Sequence, residues 1–208
     1  GDLPSPRTEP EVTVLEDGTV LVVGGQDADG LPTGSVFSYD LIGRRFVEVV
    51  DREGVPLLLP ALSGARAVPM VGSRMAWVGG HSGEGPRRGV SWIIPMAIEE
   101  GTVAAFERVD WPEALPADLQ DQRATGLADG RLLVTGTRKG RAEGWLLDLG
   151  HRTQGPVGVT RAGGEILFLE DGTTLSTDGE GSSLWRQGLH SPFDAPPSSY
   201  LPGGATDL

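Results

Sequence analysis

The sequence predicts an all-β protein made of four repeated antiparallel sheets, each drawn from a stretch of roughly 50 residues. Three observations lead there. Thirty-two Gly and sixteen Pro make up about 23% of the 208 residues, roughly twice average usage. The apolar content stays at 38%, so the chain is turn-rich and able to bury a core rather than low-complexity and disordered. Four ten-residue windows superpose without gaps: EDGTVLVVGG at 16–25, VGSRMAWVGG at 71–80, ADGRLLVTGT at 128–137 and EDGTTLSTDG at 170–179. Their starts lie 55, 57 and 42 residues apart.

Each window reads as a turn followed by a strand. Asp17-Gly18, Asp129-Gly130 and Asp171-Gly172 are Asp-Gly pairs, the short-range signal of a type I′ hairpin, in which both central residues take positive φ. Gly72-Ser73 fills that slot in the second copy. The apolar run after the turn, such as Val20 to Val23 or Leu132 to Val134, reads as a strand covered on both faces. Val20, Val22, Leu132, Val134, Ile166 and Phe168 are the expected core residues of these hairpins. The diglycines Gly24-Gly25 and Gly79-Gly80, with Gly136 as their remnant in the third copy, are expected to stop the strand where backbones approach closely. A partner strand precedes each turn: 11–15, 67–71, 124–127 and 164–169.

A second pair of strands follows in each copy. The pairs are 35–41 with 45–50, 90–95 with 104–109, 144–149 with a weak 156–159, and 183–186 with little after it. Two hairpins per unit make one four-stranded blade of an antiparallel propeller. The chain then reads as a single propeller region with blades at about 3–56, 57–115, 116–158 and 159–197, and a C-terminal tail at 198–208. Only 112–120 has helical composition, at most one or two turns of a linker.

These residues resemble the kelch repeat. The resemblance rests on the dGxvlvxGG pattern, on Pro6-Arg7 upstream, Tyr39-Asp40 downstream and a closing aromatic at Phe46. Arg7 and Arg161 each precede the turn glycine of their copy by eleven residues, which sets a shared register. The third copy has Thr137 in place of its second glycine, and the fourth keeps only Gly179. The resemblance implies a propeller that is part of a larger ring, and it leaves activity open.

The formal charge of −12 argues against nucleic acid, which needs a basic stripe to release counterions, and against insertion at anionic membranes. The absence of Cys excludes disulfides, thiolate metal sites and the Cys–Tyr cross-link of copper oxidases resembling galactose oxidase. No apolar run approaches the roughly 20 residues of a membrane span. Gly1 is not a native start, so the reading allows for a leader, an anchor or further blades before it. An exported or surface protein of a bacterium is the expected compartment, taken from the style of the repeats.

Chemistry-bearing residues are scattered. His81, His151 and His190 sit in separate turn regions without ligand spacing. Asp27, Asp29 and Gly30 look faintly like a calcium loop but lack the distal Glu. Ser176 to Trp185 looks loosely like an Asp-box turn and reads as a degenerate hairpin. Trp77, Trp92, Trp145 and Trp185 are expected to pack between sheets. Trp111 and Tyr200 lie in linkers and are candidate exposed anchors. The basic clusters, Arg87-Arg88 and Arg138, Lys139 and Arg141, fall in loops that could receive an acidic partner. The expectation is therefore a non-enzymatic interaction module with no cofactor and no catalytic residues, presenting loops to a protein or glycan. A second polypeptide, either another copy or the remainder of a cleaved parent, is expected to complete the ring, with the tail crossing to it. The alternative is a carbohydrate-active lyase or hydrolase with its site at the central channel.

Overall fold

Val12, Val14, Val20 and Val22 alternate with residues of the opposite face, and the turn between them closes the first hairpin. In the computed structural model this hairpin begins an all-β chain. The structure describes residues 2–83, 85–96 and 105–157, together with the backbone of strands 165–168, 173–177 and 182–186. The first sheet is β1 (Glu11–Val14), β2 (Val20–Val23), β3 (Val36–Asp40) and β4 (Arg45–Glu48) in that order. The second comprises β5 (Ser63–Met70), β6 (Arg74–Ser82), a two-residue β7 (Gly85–Pro86) beside β6, β8 (Val90–Pro95) and β9 (Phe106–Trp111). The third is β10 (Gln120–Gly126), β11 (Leu132–Arg138), β12 (Arg141–Asp148) and β13 (Thr153–Val157). The fourth is β14 (Glu165–Phe168), β15 (Thr173–Thr177) and β16 (Ser182–Arg186). Every neighbouring pair is antiparallel. Among the described residues no helix is long and apolar enough to cross a membrane.

The chain divides into two compact units, Gly1–Glu113 with the first and second sheets and Ala114–Leu208 with the third and fourth. In the first unit Leu21, Val23 and Val36 of one sheet pack against Met75, Trp77, Ile93 and Phe106 of the other. Leu57, Leu59 and Leu62 of the connecting segment complete this core. The Trp77 indole N–H donates to Pro60 O at 3.0 Å, which satisfies the one polar atom of a ring otherwise buried among hydrocarbon. In the second unit Leu132, Leu133 and Val134 are all fully buried, as expected of a strand covered on both faces. Val22 is buried and Val20 half-buried. Ile166 and Phe168 belong to strands described by backbone alone.

The Asp-Gly turns correct the sequence expectation. Gly18 and Gly130 have φ of 86° and 83°, but Asp17 and Asp129 do not enter the positive region. Gly18 N–H donates to Leu15 O at 2.9 Å, and Leu15 N–H to Thr19 O at 2.8 Å. Leu127, Gly130 and Arg131 repeat this pattern. Both are three-residue loops, a type I turn followed by one left-handed glycine. The cause is the Asp side chain, which accepts the N–H two residues on, Thr19 at 2.9 Å and Arg131 at 3.1 Å, and holds the Asp in a right-handed conformation. The two-residue hairpin occurs instead at Lys139-Gly140, where both φ are positive (50° and 71°) between paired Arg138 and Arg141. Gly172 lies outside the described residues.

Two more expectations shift. The segment 112–120 forms turns rather than helix, and its Ala114, Leu115 and Leu119 are fully buried. It is a core-anchored connection. The strand β6 runs through Gly79-Gly80 to Ser82 instead of stopping there, with both glycines at positive φ (74° and 75°).

The first two sheets touch through equivalent or adjacent positions of the repeat. Arg66 donates to Glu11 at 2.8 Å, Gly72 N–H to the Glu16 carboxylate at 2.6 Å, and Asp17 N–H to Ser73 Oγ at 3.0 Å. Arg52 and Glu107 lie 3.9 Å apart. All four links join residues 55 or 56 positions apart in sequence. The first strands of the two sheets, β1 and β5, lie side by side, and β10 lies beside β14 in the second unit.

Candidate functional site

Strand alternation builds the most connected charged group of the first unit. Arg108 and Asp110 are two apart on β9 and so share a face. Arg108 grips Asp110 from Nε at 3.1 Å and from its terminal nitrogen at 2.7 Å, and also donates to Leu58 O. Across the ladder, fully buried Ser91 on β8 donates its hydroxyl to Asp110 and accepts from Arg87 at 3.1 Å. Arg87 donates further to Gly89 O at 3.1 Å. Burial draws the Arg87 guanidinium below its usual value, with help from the like charge of Arg108 and against the pull of Asp110. Burial also opposes ionisation of Asp110. The hydrogen bonds from Arg108 and Ser91 and the two guanidinium charges outweigh it, so the carboxyl sits below its ordinary range. The arrangement locks the turn after β7 to the outer strands. It contains no activated nucleophile, and Asp110 offsets one of its two guanidinium charges.

The expected basic loops are thus partly neutralised. Arg87 is held in that network, and Arg88 lies 3.8 Å from Glu113. Arg138 donates to Asp118 at 2.6 Å and sits 3.6 Å from Glu143; this pairing raises Arg138 and lowers Asp118 from their ordinary values. Lys139 and Arg141 are exposed at the tight turn. The two basic groups belong to different units. Trp111 is not in a linker but is the last residue of β9, paired with Val90 and half-buried. Tyr200 and His190 lie outside the described residues.

The remaining glycines divide by role. Gly24 and Gly25 have φ of 63° and 85°, and a Cβ on Gly25 would fall 2.7 Å from Thr8 O. Gly136 is a case of close approach alone, with Gln120 O 2.6 Å from where a Cβ would stand.

The faint calcium loop has a local explanation. Asp27 Oδ1 accepts the N–H groups of Asp29 and Leu31, each at 3.0 Å, with Gly30 left-handed at φ 76°. Asp51 does the same for Glu53 and Val55, both at 2.9 Å, beside Gly54 at 79°. These are carboxylates spent on their own turns. His81 is exposed near the end of β6, and His151 pairs with Asp148 at 2.9 Å. The His151 backbone N–H, then its side chain, hold Asp148 below its usual range against a burial effect. Among the described residues no three His, Cys, Asp or Glu converge to hold a metal. The Asp-box-like stretch is the hairpin of β15 and β16, with 178–181 outside the described residues.

A pocket of about 210 Å³ opens in the first unit where β1 and β5 begin, lined by Glu9, Glu11, Leu62, Ala65, Arg66 and Trp77 among others. Glu11 is paired with Arg66; Glu9 carries no ion pair among the described residues and has a left-handed φ of 50°. The sequence offers one clue to this pocket, the Glu9-Pro10-Glu11 alternation just before the first strand. The rest comes from sequence-distant packing.

No protein-family model and no curated protein sequence matches the chain. Among solved structures it is similar to a chain in the cryo-EM structure of RAG in complex with one melted RSS and one unmelted RSS, with a TM-score of 0.65 and 11% identity. The match covers 91% of this chain and 66% of that one. At that identity the likeness is one of fold, an all-β chain of antiparallel sheets, and the chain spans about two thirds of the length of the chain it resembles.

Proposed function

We propose that the chain is a set of kelch-type propeller blades acting as a non-enzymatic interaction module, with its first sheet covered by a further polypeptide. One observation supports this reading: the first two sheets meet through equivalent or adjacent positions of the repeat. Glu11 meets Arg66, Glu16 meets Gly72, and Asp17 meets Ser73, which suits blades set side by side around an axis. The same reasoning identifies a surface in need of a partner. The first sheet uses Leu21, Val23 and Val36 against the second, while Val12 and Val14 of β1 remain 61% and 56% exposed. A sheet face and edge of this kind is ordinarily covered by the preceding repeat. The loops at the strand ends then form the binding surface for a protein or glycan.

An experimental structure tests the arrangement. The expected result has all four sheets around one axis with β1, β5, β10 and β14 innermost. Two units joined as independent sandwiches would overturn it. For the covering partner, Val12→Asp with Val14→Asp is expected to abolish assembly with whatever polypeptide occupies that face, and unchanged assembly would exclude the face.

A further inference from the structure

Exposed aliphatic and acidic side chains gather at one end of the first sheet, where β1 and β3 begin. The β2–β3 connection holds the turn Asp27-Ala28-Asp29-Gly30-Leu31, and the segment after β4 holds Asp51-Arg52-Glu53-Gly54-Val55. The two are built alike. In each, the leading aspartate carboxylate accepts the N–H groups of the third and fifth residues. Its own N–H donates to the carbonyl of the fifth at 2.9 Å, and the glycine is left-handed. Each turn therefore displays one aliphatic side chain on a fixed backbone, Leu31 at 61% and Val55 at 54% exposure. The two segments lie side by side, because Leu59 N–H donates to Gly34 O at 2.8 Å and Leu58 pairs with Ser35. Leu57 and Leu59 enter the core, so alternation turns Leu58 outward, and it is 55% exposed.

The same end of the sheet is acidic. Glu9, Asp27, Asp29, Asp51 and Glu53 carry no ion pair among the described residues. The cations among them are engaged: Arg52 lies 3.9 Å from Glu107, Arg66 holds Glu11 at 2.8 Å, and Arg7 donates to Ser35 Oγ at 2.9 Å. Beside the β2–β3 connection opens the pocket of about 210 Å³, lined there by Glu9, Gln26 and Ser63. Its apolar residues Leu62, Ala65 and Trp77 are sealed beneath. The accessible wall is therefore polar, and its unmatched charge is that of Glu9.

We propose that this end of the first sheet binds a basic peptide segment of another protein. One cationic side chain of the segment enters the pocket against Glu9, and its aliphatic side chains rest on Leu31, Val55 and Leu58. The proposal rests on the interaction-module reading and gives that module a class of partner. Charge selects the occupant. A chain of net charge −12 repels a second copy, an anionic bilayer and nucleic acid alike, and it steers a basic segment toward its acidic loops. The pocket suits a cationic side chain rather than an aliphatic one, because a carboxylate on a polar wall hydrogen-bonds a guanidinium or an ammonium group. Turns already held by Asp27 and Asp51 lose little freedom on docking.

Fluorescence anisotropy of a labelled peptide alternating Arg and Leu, titrated with the whole chain, tests it. Binding is expected, and it weakens as salt rises. A peptide alternating Glu and Leu should not bind. One alternating Arg and Ser should bind several-fold more weakly, because it leaves the three aliphatic side chains uncovered. Glu9→Gln is expected to weaken binding about tenfold, the order of one charge-assisted hydrogen bond. Leu31→Ser with Val55→Ser is expected to weaken it several-fold. All three residues are exposed, so thermal melts of both variants should match the parent. No binding of the Arg–Leu peptide, equal binding of the Arg–Ser peptide, or full affinity in the Glu9→Gln variant overturns the proposal. None of those results bears on the arrangement of the sheets, on which the module reading is tested separately. Binding lost only with Val12→Asp and Val14→Asp moves the contact to the β1 face, which overturns this site and leaves the module reading in place.

Discussion

The Glu16 carboxylate accepts the Gly72 backbone N–H at 2.6 Å, tying the turn of the first repeat to the turn of the second. Beside it Asp17 N–H donates to Ser73 Oγ. Burial raises the Asp17 carboxyl, but hydrogen bonds from Thr19 and Ser73 outweigh this and hold it below its usual range. Glu16→Ala is expected to cost about 1 kcal/mol, the net value of one such hydrogen bond. In a double-mutant cycle with Ser73→Ala the two costs should not add, because the turns move as one. Strict additivity in denaturant melts would mean that the turns are not coupled.

Gly18 and Gly34 separate two reasons for needing glycine. A Cβ on Gly18 meets nothing within 4 Å, but φ is +86°, so Gly18→Ala should cost roughly 1–2 kcal/mol from backbone conformation alone. At Gly34 the φ is unremarkable, but a Cβ would stand 1.7 Å from the carbonyl oxygen of Leu59, whose own N–H donates to Gly34 O at 2.8 Å. Gly34→Ala should therefore be the more damaging of the two in thermal melts. The reverse order would contradict the packing of the connecting segment on β3.

Leu132→Ala opens a cavity beneath a fully buried strand and is expected to cost about 2–5 kcal/mol. Leu41→Ala, at a residue 76% exposed, should leave the denaturant midpoint unchanged. Equal effects at the two positions would reverse their assigned surroundings.

Asp110 gives the fold an acid-sensitive point. Its folded-state carboxyl sits below the ordinary aspartate value, because the hydrogen bonds from Arg108 and Ser91 and the two guanidinium charges outweigh burial, so it contributes stability above that ordinary value. The contribution is lost as pH falls through the lower folded value. Asp110→Asn should weaken the protein at neutral pH and flatten this part of its acid-unfolding curve. An unchanged curve would show that Arg87 and Arg108 do not act on that carboxylate.

Much of the fold is legible in the sequence because its signals are local. Asp-Gly, or Gly-Ser in the second copy, followed by apolar residues marks each hairpin, and β8 falls at 90–95 as the pattern demands. The turn type is not legible, because the choice rests on the Asp17 side chain finding Thr19 N–H. Trp111 misleads because Pro112 follows it and suggests a linker, while the strand it ends is defined by pairing with Val90. Leu115 and Leu119 hide for a similar reason: Pro116 between them breaks any periodic pattern, yet both are buried. The Arg108–Asp110 alternation could have been read as one strand face. The Glu11–Arg66 pair and the pocket beside it could not, since they join segments 55 residues apart through packing alone.

The sheets are each continuous in sequence, and this sets an order of events during synthesis. At ribosomal rates of about 5–20 residues per second, the interval between completing one repeat of about 55 residues and the next is roughly 3–11 s. A hairpin closes within microseconds, so the first sheet can pair before the second, a repeat behind it, is whole. For those seconds Leu21, Val23 and Val36 lack the Met75, Trp77, Ile93 and Phe106 side chains that cover them in the folded unit. Slowing synthesis of the second repeat would lengthen that exposure.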